Sequence, residues 1–168
     1  EISPDHFMKP PSLERPLGSD HVGRDALSRI IVGTRTSLFV AFIAVAVAKT
    51  FGFSWGILTG YLGGKFDLFS QRFLDVLISF PGVILALLLL AGLGAGLYTV
   101  IIAIAATGVA GTTRVITSVA MSVREMTYVE AATASGASQL RIMVKHVAPQ
   151  CIAPLMVVAS ASLGGAIF

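Results

Sequence analysis

A chain of 168 residues that is 55% hydrophobic and only 12% charged, with a mean hydropathy of +0.84, has too few polar side chains to cover a soluble domain; the composition is that of a polytopic membrane protein. Its 12 basic and 9 acidic residues leave a formal charge of +3, scattered without a basic stripe or stacking aromatics, which excludes nucleic acid as a partner. The single cysteine, Cys151, lies in an apolar run, so no intrachain disulfide can form.

Residues 1 to 29 carry nine charges and no apolar core of signal-peptide length. Pro4, Pro10, Pro11 and Pro16 predict an extended, irregular arm over residues 1 to 22. From Gly23 to Ile31 the pattern sets Ala26, Leu27, Ile30 and Ile31 against Arg24, Asp25, Ser28 and Arg29, which predicts a short interfacial helix. Residues 1–30 therefore read as arm and interfacial helix, and 31–168 as an all-α, polytopic transmembrane core.

Four spans are expected, at about 36–64, 67–91, 97–121 and 149–168. The first is long enough to tilt and is interrupted only by Lys49. A charge at that depth costs roughly 2.5–3.5 kcal/mol on insertion scales, so Lys49 either faces protein or a water-filled path, or snorkels along a tilted helix. Gly52, Gly56, Gly60 and Gly64 recur every four residues and predict a seam where another helix backbone approaches closely. Pro81 is expected to kink the second span, and the turn Gly92-Leu93-Gly94-Ala95-Gly96 to separate it from the third.

Arg72 and Asp75, one helical turn apart, read as an interfacial ion pair, and Arg114 as a residue that snorkels or pairs in the same way. Gly63-Gly64-Lys65 fails as a phosphate-binding loop. Thr59 stands where its first glycine belongs and Phe66 where its Ser or Thr belongs, so the chain is not expected to hydrolyse ATP. His6, His21 and His146 are too far apart for a metal cluster, and no Ser/His/Asp or Cys/His arrangement suggests a catalytic residue.

Between the third and fourth spans, residues 122–148 hold a polar double helix where a short loop would suffice. An Ala-rich helix with Glu130 near its start covers Tyr128 to Ser135, and Gly136 can take the left-handed conformation that ends it. A second helix can start near Ser138, with Arg141 and Lys145 on one face, and Pro149 suits the first turn of the next span. The pattern predicts a helix-turn-helix elbow presented to a partner, with His146 as a cap or contact at its end.

Glu130-Ala131-Ala132, Gly136 and Pro149 resemble the EAA signature of permease subunits of bacterial ABC importers. His146 resembles the dipeptide/oligopeptide/nickel branch of that family, although Ala148 stands where the branch often carries Leu. Pro16-Leu17-Gly18-Ser19-Asp20, then Gly23-Arg24-Asp25 and Leu27-Ser28-Arg29, resemble the segment before the second span of those permeases.

The resemblance implies an importer-type fold in a bacterial or archaeal cytoplasmic membrane, with the elbow as a cytoplasmic coupling element and the arm outside. Glu130, Ala131, Ala132, Gly136, His146 and Pro149 would couple to the motor. Leu17, Gly18, Asp20, Gly23, Arg24 and Asp25 would line the outer vestibule or contact a solute-binding protein. Further implied partners are a second permease subunit, two ATP-binding subunits that hold ATP and Mg, and membrane lipid. The resemblance also implies one more span on either side of this central portion. Two other classes stay open at this point: a secondary transporter using Asp75 or Lys49 as its coupling residue, and a membrane scaffold without transport.

Overall fold

The computed structural model describes residues 9–13 and 16–167, the last by its backbone alone. Pro4, His6 and Arg15 of the expected arm, and Phe168 of the expected last span, lie outside the described residues. Apart from one isolated bridge between Ser19 and Asp25, the regular structure is helical: α1 Ala26–Leu62, α2 Gly64–Ser79, α3 Gly82–Leu93, α4 Leu97–Arg124, α5 Thr127–Ala134, α6 Gln139–Ile142 and α7 Ala148–Ile167. A π-helical turn, Met143–Val147, joins α6 to α7 without a break. Two compact units divide the chain, one ending at Phe39 and one beginning at Val40.

The interfacial helix expected at Gly23 to Ile31 is not a separate element. No Gly or Pro interrupts the stretch between it and the first span except Gly33, which a helix tolerates, so helix propagates from Ala26 through 37 residues. Asp25 supplies the cap: its Oδ2 accepts from the Ser28 amide at 3.1 Å and from the Ser28 hydroxyl.

In the unit that begins at Val40, α1 and α4 pack through small residues. A Cβ built on Gly52 would lie 2.6 Å from Thr112 Cβ, one on Gly56 2.7 Å from Ile116 Cβ, and one on Gly60 2.6 Å from Ala120 Cβ. Each step of four along α1 thus meets a step of four along α4 in the same direction, so the helices run parallel. The intervening α2 and α3 must carry the chain back. Gly64, the fourth member of the expected seam, is not in it: α1 stops at Leu62, Gly63 and Gly64 take φ of +61° and +56°, and nothing lies within 4 Å of a Cβ on Gly64. The turn lays α2 against α1, where Trp55 stacks on Phe73 at 5.8 Å and donates from Nε1 to Ser70 Oγ at 3.1 Å.

The return segment is broken rather than kinked. Phe80, preceding proline, is driven to extended backbone (φ −85°, ψ 125°), and Pro81 restarts the helix by accepting from the Ile84 and Leu85 amides. The two halves meet at 86°. The described chain therefore has three helices long and apolar enough to cross a membrane, or four crossings if this bent pair is one.

Candidate functional site

The elbow begins where α4 ends. Its first helix closes in a Schellman arrangement: the Gly136 amide donates to Thr133 O at 2.9 Å and the Ala137 amide to Ala132 O at 3.2 Å. Gly136 carries the left-handed φ of +80° that this closure needs. The Ser138 hydroxyl then caps α6 by accepting from the Arg141 amide at 3.4 Å.

One face of the elbow is bound into the core. Val129, Ile142 and Val147 are 2%, 1% and 0% exposed and cluster with Ile57 of α1, Ile116, Ala120 and Val123 of α4, and Cys151 of α7. Ala132 and Ala137 pack against the same cluster. Tyr128 donates from its hydroxyl to His146 O at 3.4 Å, and the two rings stand 6.2 Å apart, which ties α5 to the π turn. Arg124 Nη1 donates to Tyr61 O at 3.0 Å and so satisfies a carbonyl at the end of α1.

The opposite face is open. Glu130, Ala131, Gly136 and Pro149 are exposed, whereas Ala132 and His146 are half-buried. Glu130 lines a cleft of about 500 Å³ together with Thr133, Gln139 and the anchor Val129 of the elbow and with Tyr61, Arg124 and Glu125 near the ends of α1 and α4, so the cleft lies along the border between the two faces. Of the six residues proposed for coupling, Glu130 alone borders this cleft, and Pro149 sits a full helical stretch beyond it. Sequence reasoning missed the anchors Val129, Ile142 and Val147, although their apolar spacing within a polar segment was the available signal.

The segment from Leu17 to Asp25 belongs to the first unit and is held by local bonds. Asp20 Oδ1 accepts from the Val22 and Arg24 amides, both at 2.9 Å, and Oδ2 pairs with Arg29. The Arg24 amide foremost, with the Val22 amide and the Arg29 guanidinium, outweighs partial burial and lowers the Asp20 pKa from 3.8 to about 2. Gly18 and Gly23 both have positive φ, and a Cβ on Gly18 would lie 2.4 Å from Lys9 O. Leu17 remains 50% exposed.

Two charged groups expected within spans also find partners. Asp75 pairs with Arg114 of α4 and not with Arg72, because the interhelical pairing satisfies a second intramembrane charge. Lys49 is 6% exposed and donates to two hydroxyls, Thr112 Oγ1 at 2.9 Å and Ser162 Oγ at 2.7 Å. It faces protein.

Long apolar helices with glycine-mediated packing, plus a folded polar elbow wedged between two of them, define a polytopic helical membrane protein. Residues 52–168 match the family described as the binding-protein-dependent transport system inner membrane component, and the chain belongs to that family. It is a multi-pass protein of the cytoplasmic membrane.

Among curated proteins, the chain is 38% identical over 167 residues to the dipeptide transport system permease protein DppC of Alkalihalophilus pseudofirmus, covering 99% of this chain and 55% of that one. It is 37% identical over 160 residues to the probable D,D-dipeptide transport system permease protein DdpC of Escherichia coli, covering 95% and 54%. To the oligopeptide transport system permease protein OppC of Bacillus subtilis it is 32% identical over 160 residues, covering 95% and 52%. The chain thus spans about half the length of the curated relatives it matches.

Proposed function

We propose that this chain forms the core of a permease subunit of an ATP-driven importer for peptides or related small solutes. It contributes half of a translocation pathway and receives the work of ATP hydrolysis through the elbow. The observation that carries this reading is the elbow's two-faced construction: one face is packed into the α1, α4 and α7 cluster, and the other is exposed, with Glu130 at its border beside a cleft. Force applied to the open face would reach three long helices through buried contacts, as rocking of helix bundles between two states requires. The names of the relatives support the substrate class.

In this reading the partners are a second, homologous permease subunit, two ATP-binding subunits that hold ATP and Mg, and a solute-binding protein outside the membrane. Glu130, Ala131, Ala132 and Gly136 form the docking helix and its turn, with His146 and Pro149 supporting the exit into α7. The turn around Leu17, Gly18, Asp20, Gly23, Arg24 and Asp25 meets the solute-binding protein or the outer vestibule. The secondary-transporter alternative has less to stand on, since Asp75 is paired with Arg114 and Lys49 donates to two hydroxyls.

The test uses the reconstituted complex. Gly136→Val forces a β-branched residue into left-handed backbone, at a cost of about 1–3 kcal/mol. Glu130→Lys reverses the charge on the open face. Both variants are expected to insert and fold, to associate less with the ATPase, and to lose most ATP-driven uptake. Normal uptake by the stably expressed double variant would remove the elbow as the coupling element.

A further inference from the structure

Lys49 lies thirteen residues before the Leu62 end of α1, about 20 Å along the helix at 1.5 Å per residue, so its charge sits deep in the span. Its Nζ donates to Thr112 Oγ1 and Ser162 Oγ. Both hydroxyls are already used as donors, Thr112 to Gly108 O at 2.8 Å and Ser162 to Val158 O at 2.7 Å, so toward the lysine they act as acceptors. An ammonium has three protons, and these hydroxyls take two. Among the described residues no carboxylate pairs with Lys49; the ion pairs there join Arg29 to Asp20 and Arg114 to Asp75. Hydroxyls lessen the cost of burying a cation but supply no opposite charge.

The lysine also borders free space. A cavity of about 250 Å³ is lined by Lys49, Ala48, Thr107, Gly108, Ser162 and Gly165, among others. Close approach of α1 and α4 shapes it, since a Cβ on Gly108 would lie 2.9 Å from Ala48 Cβ and one on Gly52 only 2.6 Å from Thr112 Cβ. These glycines bring the Thr112 hydroxyl within reach of the lysine. The volume falls just below the range of about 300–1,000 Å³ typical of small-molecule sites, which suits the end of a small solute better than a long chain.

We infer that Lys49, steadied by Thr112 and Ser162, holds the carboxylate of a small solute in this cavity. The third ammonium proton makes the charge-assisted bond, and the solute supplies the opposite charge that the helices do not. That the solute is a short peptide, held by its C-terminal carboxylate, rests on the importer reading above; the cation and the cavity do not.

The test is equilibrium binding of radiolabelled alanyl-alanine and alanyl-alanine amide to the complete membrane complex in nanodiscs, without the solute-binding protein. Wild type is expected to bind the acid at least tenfold more tightly than the amide. Lys49→Met should abolish that preference, and Lys49→Arg should keep part of it. Equal binding of acid and amide by wild type, or no binding of either, overturns the inference. A preference that survives Lys49→Met overturns it as well. Should Lys49→Met fail to assemble, the wild-type comparison still decides, and Ser162→Ala is expected to weaken acid binding severalfold while leaving the amide unchanged. ATP-driven uptake in the same complex, with its solute-binding protein added, separates the two readings. Uptake without an acid preference sinks only this site, whereas absence of ATP-driven uptake sinks the importer assignment.

Discussion

At the α1–α4 contact, the absence of a side chain is what each glycine contributes, and the distances rank the positions. A Cβ on Gly56 would stand 2.7 Å from Ile116 Cβ and 2.9 Å from Thr113 O, while one on Gly111 would meet nothing within 4 Å. Gly56→Leu is therefore expected to destabilise by about 1–3 kcal/mol or to prevent assembly, whereas Gly111→Ala should be neutral or stabilise by about 0.5–1 kcal/mol. Thermal melting of the purified complex separates the two, and equal melting temperatures would mean that the α1–α4 contact is loose. Asp20 gives a second residue-scale expectation. Its folded pKa is lowered from 3.8 to about 2, so its contribution is fully present above pH 3.8 and disappears as pH falls through about 2. The amide resonances of Val22 and Arg24 should titrate with a midpoint near that lower value; a midpoint near 3.8 would show that the amides do not hold the carboxylate. The every-fourth-residue recurrence of Gly52, Gly56 and Gly60 is visible in sequence, but their contact residues lie some sixty positions away and are not. For Lys49 the gap is larger still, with partners 63 and 113 residues distant.

Elements are legible where a local rule dominates and obscure where two rules compete. Gly136 shows the first case, since a left-handed turn between two polar helices favours glycine, and the residues on both sides carry the matching cap chemistry. Pro81 shows the second. Proline within a membrane helix is compatible with a kink or a break, and the extended backbone of Phe80 together with the accepting Pro81 carbonyl produces the break. The pairing of Asp75 follows a similar competition: residues three apart on a helix share a face, which makes Arg72 the local choice, yet Arg114 is the partner in space. Arg114 lies ten residues, about 15 Å, before the Arg124 end of α4, where an unpaired charge is costly. Asp75→Leu or Arg114→Leu alone should each reduce the recovered complex severalfold. The exchange Asp75→Arg with Arg114→Asp should restore at least half of it, as judged by size-exclusion yield. Failure of the exchange to rescue, with both single variants impaired, would mean that each charge has a separate partner elsewhere in the assembly.

Across the whole molecule, the proposed coupling depends on whether the elbow moves as part of the helix core or swings independently of it. The buried side chains argue for the first, because Val129 and Val147 pack with Ile57, Ile116, Ala120 and Cys151, so displacement of α5 must displace the helices that carry those residues or open a gap between them. Close packing resists such a gap. Val129→Ala and Val147→Ala each remove buried methyl groups, at a cost of about 1–3 kcal/mol per site, while leaving the exposed face proposed for docking chemically unchanged. ATPase association and turnover should therefore persist while solute transported per ATP falls severalfold, most in the double variant. This signature differs from that of Glu130→Lys, which alters the face proposed for docking and should lower association itself. The two effects are separable by measuring subunit co-purification, ATP hydrolysis and uptake on the same proteoliposomes. A double variant with a lowered melting temperature but an unchanged ratio of transport to hydrolysis would show that the anchored face stabilises the fold without transmitting force. Coupling would then have to run along the backbone from α5 into the end of α4, where Arg124 bonds the Tyr61 carbonyl at the end of α1.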